Sequence, residues 1–411
     1  MRNPHEEFFV TNHVLPVYAP APMNLVEGRG VWLYDEAGRD WLDCIGGIAT
    51  NALGHCHPGL VAALREQADK LWHVSNALAI PGQALLAERL TAASFADLAF
   101  FTNSGAESVE CAIKMARHYH AHRGEPQRID IIGFAGSFHG RTYAGLNAGG
   151  NPAHLDGFGP RLPGYIHLAL DDHAALERAV AASTTAAVIV EPVQGEGGAR
   201  ALSDADLLRL REVTRRHGVL LIHDEVQSGM GRTGRLFAHQ WAEGAEPDIM
   251  ALAKALGGGF PVGACLASHA AAVGMTVGTH GSTFGGNPLA MAVALAAFDE
   301  IAKPGLMENV GAMSLRLRAG LEAIRTRYPQ VVEEVRGKGL LVGVRMATPN
   351  KAFIETAREH RLLLAGGGDN CVRMLPALVI SAEEVDEALT RFEAACQTVA
   401  AALSVRSAVS A

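Results

Sequence analysis

The stretch "DIMALAKALGGGFPVGA", residues 248–264, holds one lysine in a run that is otherwise mostly apolar and glycine-rich. The chain has 6 lysines against 29 arginines, so Lys254 stands out by its type as well as its surroundings. Burying an ammonium is costly unless it is paired, and an apolar site shifts it toward the neutral, nucleophilic amine. The plainer alternative is a lysine at a strand end, its stem on apolar surface and its head in water. Reactive chemistry at Lys254 requires partners elsewhere in the chain.

Several stretches offer them. In "GVLLIHDEVQSGMGRTG", Asp224 and Glu225 follow an apolar run of strand length. Ligands of open α/β sheets gather at such strand ends, although a loop ion pair or helix cap would use the same residues. The same stretch matches GxGxxG at Gly229–Gly234. Residues 224–228 separate that match from the strand, and no later strand ends in a suitable acid, which disfavours a nicotinamide dinucleotide site. "FFTNSGAESVECAIKMARHY" reads as strand, turn and helix, with Ser104, Gly105 and Ala106 at the turn. Free amides at a helix start attract an anion, and Ser104 with Glu107 also fits a capping box; the two roles are compatible. In "GSFHGRTYAG", Phe138 can stack on a flat ligand and Arg141 can fork onto a carboxylate, though core packing and surface charge are the ordinary uses of these residue types. Glu191, Gln194 and Glu196 follow another apolar run; Ser282, Thr283, Asn287 and Arg373 lie further on. His55, Cys56 and His57 have donor types that suit zinc, but no second cluster completes four ligands, so a turn before a helix is expected and no metal site. An imine-forming lysine, an acid for a ring nitrogen, a phosphate cradle and a stacking aromatic are together the requirements of pyridoxal phosphate.

These residues need a frame. Apolar runs at "LAFFTN", "IDIIGF", "AAVIVEP", "GVLLIHDE" and "DIMALA" alternate with amphipathic stretches such as "ESVECAIKMARHY" and "ADLLRLREVTRRHG". Continuous apolar strands separated by helices predict an α/β fold with a mainly parallel sheet covered by helices on both faces. From about residue 305 the pattern changes to α+β, which predicts a smaller C-terminal domain. The strand-like "GVWLYDEAGRDWLDC" near the N-terminus joins either that domain or the edge of the large one.

The bulk properties narrow the partners. The composition is 49% hydrophobic and 19% charged, ordinary for a globular chain with a large core. A formal net charge of −8 without a basic stripe argues against a nucleic-acid surface. Cys44, Cys56, Cys111, Cys265, Cys371 and Cys396 are scattered, so reduced thiols and a cytoplasmic location are expected. The N-terminal "MRNPHEEFFVTNHVLP" does not read as a signal peptide, and no apolar stretch is long enough to span a bilayer.

The order of "LPVYAPAP", "GGIATNALGHCHPGL", "NSGAESVECAIKMARHY", "SFHGRT", "VEPVQGEGG", "DEVQSGMGRTG", "AKALGGGFP" and "HGSTFGGNPLA" resembles the class III pyridoxal-phosphate aminotransferases, and among them the acetylornithine aminotransferases. The resemblance runs nearly end to end. It implies a fold type I transferase and a homodimer with shared active sites. It divides the chain into residues 1–55, part of the small domain; 56–304, a large cofactor-binding domain; and 305–411, the rest of the small domain. It implies Lys254 as the imine-forming lysine and Asp224 as the partner of the ring nitrogen. Ser104, Gly105, Ala106, Phe138, Glu225, Val226, Gln227 and, from the other subunit, Thr283 would complete the cofactor site. Arg141, Ser282, Arg373 and Glu196 would meet substrate, with Glu196 pairing Arg373 between half-reactions. The implied substrates are N2-acetyl-L-ornithine and 2-oxoglutarate. Succinylornithine or another ω-amine is the alternative within the class, and a non-catalytic cofactor-binding protein the alternative outside it. Ala106 stands where the family often has threonine. Ile48 stands where ornithine aminotransferases have tyrosine, which leaves room for an acylated amine.

Overall fold

The computed structural model describes residues 13–410; residues 1–12, where the signal-peptide question falls, lie outside the described residues. A seven-stranded sheet forms the centre. Its strands run, in spatial order, Leu98–Thr102, Gly263–Ala267, Ile249–Leu252, Leu220–Asp224, Thr185–Val190, Asp130–Phe134 and Tyr165–Leu168. Gly263–Ala267 is antiparallel to both neighbours, and the remaining pairings are parallel. Thr185–Val190, Leu220–Asp224 and Ile249–Leu252 are buried at every position, as parallel strands covered on both faces must be. Alternate side chains serve different layers. Ile131, Ile189, Ile222 and Ile249 pack toward the helix Gly105–His122, while Ile132, Val188, Val190 and Leu221 pack toward the helices His173–Val180 and Asp204–Arg216.

The register brings the chemistry to one edge. Asp224 lies beside Ala251, and His223 beside Val190. Leu252 pairs with Ala264 and Thr102 with Gly263, so residues 260–262, ahead of the reversed strand, reach the same edge. The carboxyl ends of Leu98–Thr102, Asp130–Phe134, Thr185–Val190, Leu220–Asp224 and Ile249–Leu252 thus open on one edge, each followed by one of the stretches singled out above.

A second sheet, Val332–Lys338, Leu341–Met346, Cys371–Met374 and Ala365–Gly367, packs with the helices Pro304–Arg327, Asn350–Glu359 and Ala382–Ser410. Near the N-terminus, Leu25–Arg29, Trp32–Asp35 and Asp40–Asp43 form a small sheet, to which Leu362–Leu363 adds in parallel. One apolar core continues from these elements into the large sheet, through Leu42, Leu252, Met291, Val344, Phe353 and Phe392.

The GxGxxG match builds no dinucleotide turn. Met230, Gly231 and Gly234 have positive φ, and no helix opens before the short 3₁₀ turn Ala238–Trp241. A Cβ at Gly339 would lie 2.5 Å from Thr233 Cα, and buried Arg232 donates to Leu340 O at 3.2 Å and Pro376 O at 2.5 Å. The glycine-rich segment therefore ties the large sheet to the C-terminal elements.

Candidate active site

A cavity of about 470 Å³ opens at the carboxyl edge of the central sheet, a volume suited to a small organic ligand. Ser104, Gly105, Ala106, Phe138, Arg141, Glu196, Asp224, Val226, Gln227 and Lys254 line it.

Lys254 follows the strand Ile249–Leu252 by two residues and begins a 3₁₀ turn, Lys254–Gly257. Its φ is +44°, a left-handed conformation that costs a non-glycine residue about 1–3 kcal/mol and is found where a side chain must be aimed. Burial lowers its pKa to about 8, against the opposing pull of the Asp224, Glu191 and Glu196 carboxylates. A useful fraction of the amine is therefore neutral near physiological pH.

Asp224 ends the neighbouring strand and is buried. Its Oδ1 accepts from the Val226 amide at 3.1 Å, and its Oδ2 from His139 Nδ1 at 2.7 Å. Burial opposes a charge on His139, but the hydrogen bond and charge of Asp224, aided by Glu191, raise the imidazole above its ordinary pKa. Glu191 is fixed by the amides of Phe138 at 2.8 Å and Gly195 at 3.3 Å. Burial and the charge of Asp224 raise its carboxyl to about 7. His139 is the partner that sequence reasoning passed over: a buried acid at a strand end requires a donor, but nothing local identifies which one.

The turn before Gly105–His122 keeps two amides free. Ser104 Oγ accepts from Glu107 N at 3.3 Å, and the Glu107 carboxylate returns to Asn103, at 2.8 Å from its amide and 2.9 Å from its side chain. The box is thus closed one residue early. The amides of Gly105 and Ala106 have no protein partner among the described residues. A Cβ at Gly105 would lie 2.6 Å from Val226 Cγ1, and one at Gly140 2.9 Å from Ala106 Cβ, so both glycines permit close approach around the turn.

The other predicted residues have distinct places. Phe138 lines the cavity with Arg141 Cζ 5.5 Å from its ring centroid, and Arg141 is exposed beside His154, Nη2 to Nε2 3.1 Å. Arg373 lies behind Glu196. Its Nε and Nη2 donate to Gly366 O at 3.0 and 2.7 Å, and Nη2 pairs with Glu196 Oε1 at 2.7 Å. Ser282 Oγ accepts from Asn103 Nδ2 at 3.3 Å and from Gly285 N at 2.9 Å. Thr283 is exposed outside the cavity lining. Glu225 does not reach the cavity either. Its carboxylate accepts from Ala238 N at 2.8 Å, because the chain turns it away from its neighbour Asp224. Gln194 instead donates to Ala135 O and Ser137 Oγ, both at 3.1 Å, and Asn287 caps the helix Pro288–Ile301. His55 Nε2 meets Asp43 Oδ2 at 2.8 Å, and His57 precedes the helix Pro58–Ala68. Thr50, Asn103, Val109, Phe260 and Pro261 also line the cavity; they lie within the quoted stretches, but their residue types alone suggest no role there.

A family model for class-III aminotransferases matches residues 15–396. The acetylornithine aminotransferase 2 of Caulobacter vibrioides is 58% identical over 386 residues, 94% of this chain and 95% of that protein. The crystal structure of N-acetylornithine aminotransferase from Stenotrophomonas maltophilia superposes with a TM-score of 0.82 at 40% identity, covering 93% of this chain and 98% of that one. The ornithine aminotransferase of Toxoplasma gondii gives a TM-score of 0.90 at 32% identity, covering 94% and 93%.

Pyridoxal phosphate is the cofactor of this family, and the residues present fit it. The free amides of Gly105 and Ala106 suit a phosphate. Phe138 and Val226 offer apolar surface to a flat ring, and Asp224 offers an anion. Gln227 adds a buried Oε1 with no partner at the cavity wall. With those groups gathered around Lys254, and a match along nearly its whole length, the chain belongs to the class-III aminotransferases.

Proposed function

We propose that the chain moves the terminal amino group of N2-acetyl-L-ornithine to 2-oxoglutarate, giving N-acetyl-L-glutamate 5-semialdehyde and L-glutamate. One observation carries the reading: Asp224 ends one strand, Lys254 follows the end of its neighbour, and both face one cavity that also receives the free amides of Gly105 and Ala106. Bound there, pyridoxal phosphate supplies a carbonyl carbon that links to amines and a ring that accepts electrons. Lys254, Asp224, Gln227 and the Gly105–Ala106 turn would hold it. The Asp224 carboxylate, fixed by His139 and the Val226 amide, keeps a proton on the ring nitrogen. Lys254 Nζ takes the proton from the substrate carbon that bears the amine and acts as both base and acid. Arg141, at the cavity mouth, receives a substrate carboxylate through its planar fork. Arg373 receives a second carboxylate only when Glu196 leaves it, so a ω-amine donor and a 2-oxo diacid can use one site in turn.

The acetylornithine aminotransferase relatives support the choice of donor. The test is a panel of acetylated, succinylated and free ω-amines with 2-oxoglutarate, compared by kcat/KM. N-acetylornithine should lead; a preference for free ornithine would overturn the assignment.

The site is completed by a second copy of the chain in a two-fold dimer. Exposed Thr283 and Phe284 sit on the loop whose Ser282 touches Asn103 beside the cavity; their exposure next to the site supports the reading that this loop serves a neighbour's phosphate. Dimers mixed from Lys254→Ala and Thr283→Glu chains should regain about one working site each. Persistent inactivity in folded mixed dimers would refute the shared site.

A further inference from the structure

The Glu196–Arg373 pair rests on an uncommon piece of backbone. Glu196 lies in the loop Gly195-Glu196-Gly197-Gly198, where glycines leave the chain free to wander. Yet two of its carbonyls are held from the C-terminal sheet. Gly368 N donates to Glu196 O at 2.7 Å, and Arg336 Nε donates to Gly198 O at 2.6 Å. Arg336 is itself anchored: its Nη1 donates to Asp369 Oδ2 at 2.8 Å, and Arg200 Nη2 approaches the same oxygen at 3.2 Å. Asp369 and Asn370 have φ of +54° and +50°, a left-handed pair that shapes the turn carrying Gly368. The two segments interlock closely. A Cβ at Gly198 would lie 2.4 Å from Arg336 Nη2 and 2.6 Å from Gly368 O, and one at Gly343 would lie 2.8 Å from Ala199 Cβ.

By contrast, the Glu196 side chain is 39% exposed and Arg373 only 2%. The carboxylate can swing into the cavity while the guanidinium, held by Gly366 O, stays in place. We propose that Arg336 is a positioning residue that clamps the Glu196 loop, so that exchange of Arg373's partner is a side-chain rotation and not a loop movement. The proposal rests on the alternating use of Arg373 described above. Without the clamp, Glu196 would cover Arg373 less faithfully, and the half-reaction that needs the pair closed, with the ω-amine donor, would suffer.

The test compares Arg336→Met with Arg336→Lys in the cofactor-loaded enzyme. Lysine keeps the charge for Asp369 but has no Nε to place on Gly198 O. Each half-reaction is followed separately in single turnovers. Both variants should lower kcat/KM for N-acetylornithine ~10-fold and leave that for 2-oxoglutarate within ~threefold. Hydrogen exchange at the amides of Gly198 and Ala199, both bonded to Gly195 O, should quicken ~10-fold in both variants. Equal losses in the two half-reactions, or unchanged exchange at the loop, would overturn the clamp. Should Arg336→Met not fold, Arg336→Lys carries the test alone. Glu196→Gln separates the two ideas. If it too shows no asymmetry, the alternation of Arg373 is wrong; if it shows asymmetry and the Arg336 variants do not, only the clamp is wrong.

Discussion

The floor and the rim of the cavity are built on opposite plans. At the floor, Asp224, His139 and Glu191 are at most 5% exposed, at or beyond the carboxyl ends of buried strands, with fixed hydrogen-bond partners. At the rim, Arg141 and Glu196 are open to solvent and sit on glycine-containing loops. In the proposed reaction the floor serves steps common to both half-reactions, for which a fixed electrostatic environment is an advantage. In the same proposal the rim accepts two substrates of different charge in turn, which side chains free to move would allow.

The largest effect should come from the floor. Lys254→Ala removes the only lysine that lines the cavity among the described residues. Turnover should fall by ~1000-fold or more, equivalent to about 4 kcal/mol. The protein should stay folded, since the change removes a desolvated amine. Borohydride treatment of wild-type enzyme should fix the cofactor to the peptide containing Lys254. Recovery of the label on another lysine would sink the assignment.

Asp224→Asn keeps the shape and the Val226 contact but deletes the charge. We expect a loss in kcat of ~100-fold, about 2.7 kcal/mol. Cofactor content should hold, because the phosphate turn is untouched. A variant within threefold of wild type would make Asp224 a purely structural residue, and the floor would lose its distinction.

At the rim the penalty should be smaller and confined to binding. Arg141→Lys keeps charge but loses the fork. The expected loss is ~10-fold in kcat/KM for N-acetylornithine, carried mainly by KM, with an unaltered cofactor absorption spectrum. A fall in kcat alone would move Arg141 from substrate grip to chemistry.

The same contrast explains what could be read from the sequence. The floor's strands were legible because continuous apolar runs have few other uses, and Lys254 and Asp224 were legible because charge at the end of such a run is costly. The strands Gly263–Ala267 and Tyr165–Leu168 carry weaker signals. "GACLA" has no β-branched residue and "YIHL" is short; sheet pairing defines both. The link from His139 to Asp224 spans 85 residues, and no local pattern predicts it. Phe260 and Pro261 enter the cavity because the strand after them runs backwards. The resemblance implies Glu225 among the cofactor residues, but the turn of the chain sends its carboxylate to Ala238 N, away from the cavity.

That last difference gives the smallest effect on activity. Glu225 is buried, and burial raises its carboxyl to about 8 although Ala238 and His239 amides and Ser228 stabilise the charge. Between its unfolded value of 4.5 and about 8, the folded protein holds a proton that the unfolded chain has released. Stability contributed by this group is therefore present at low pH and declines as pH rises through that window. Glu191 acts in the same direction between 4.5 and about 7. Lys254 acts the other way, but mainly between about 8 and 10.5, above the window in question. Glu225→Gln retains an acceptor for Ala238 N and cannot ionise. In cofactor-free protein, its urea-unfolding stability relative to wild type should improve by ~1–3 kcal/mol between about pH 5 and about pH 8, less than a full shift would give because the buried site can relax. Its kcat should stay within ~threefold, since Glu225 does not line the cavity. An equal difference at both pH values would show that the carboxyl does not titrate in this window. A tenfold loss of kcat would return Glu225 to the cofactor site.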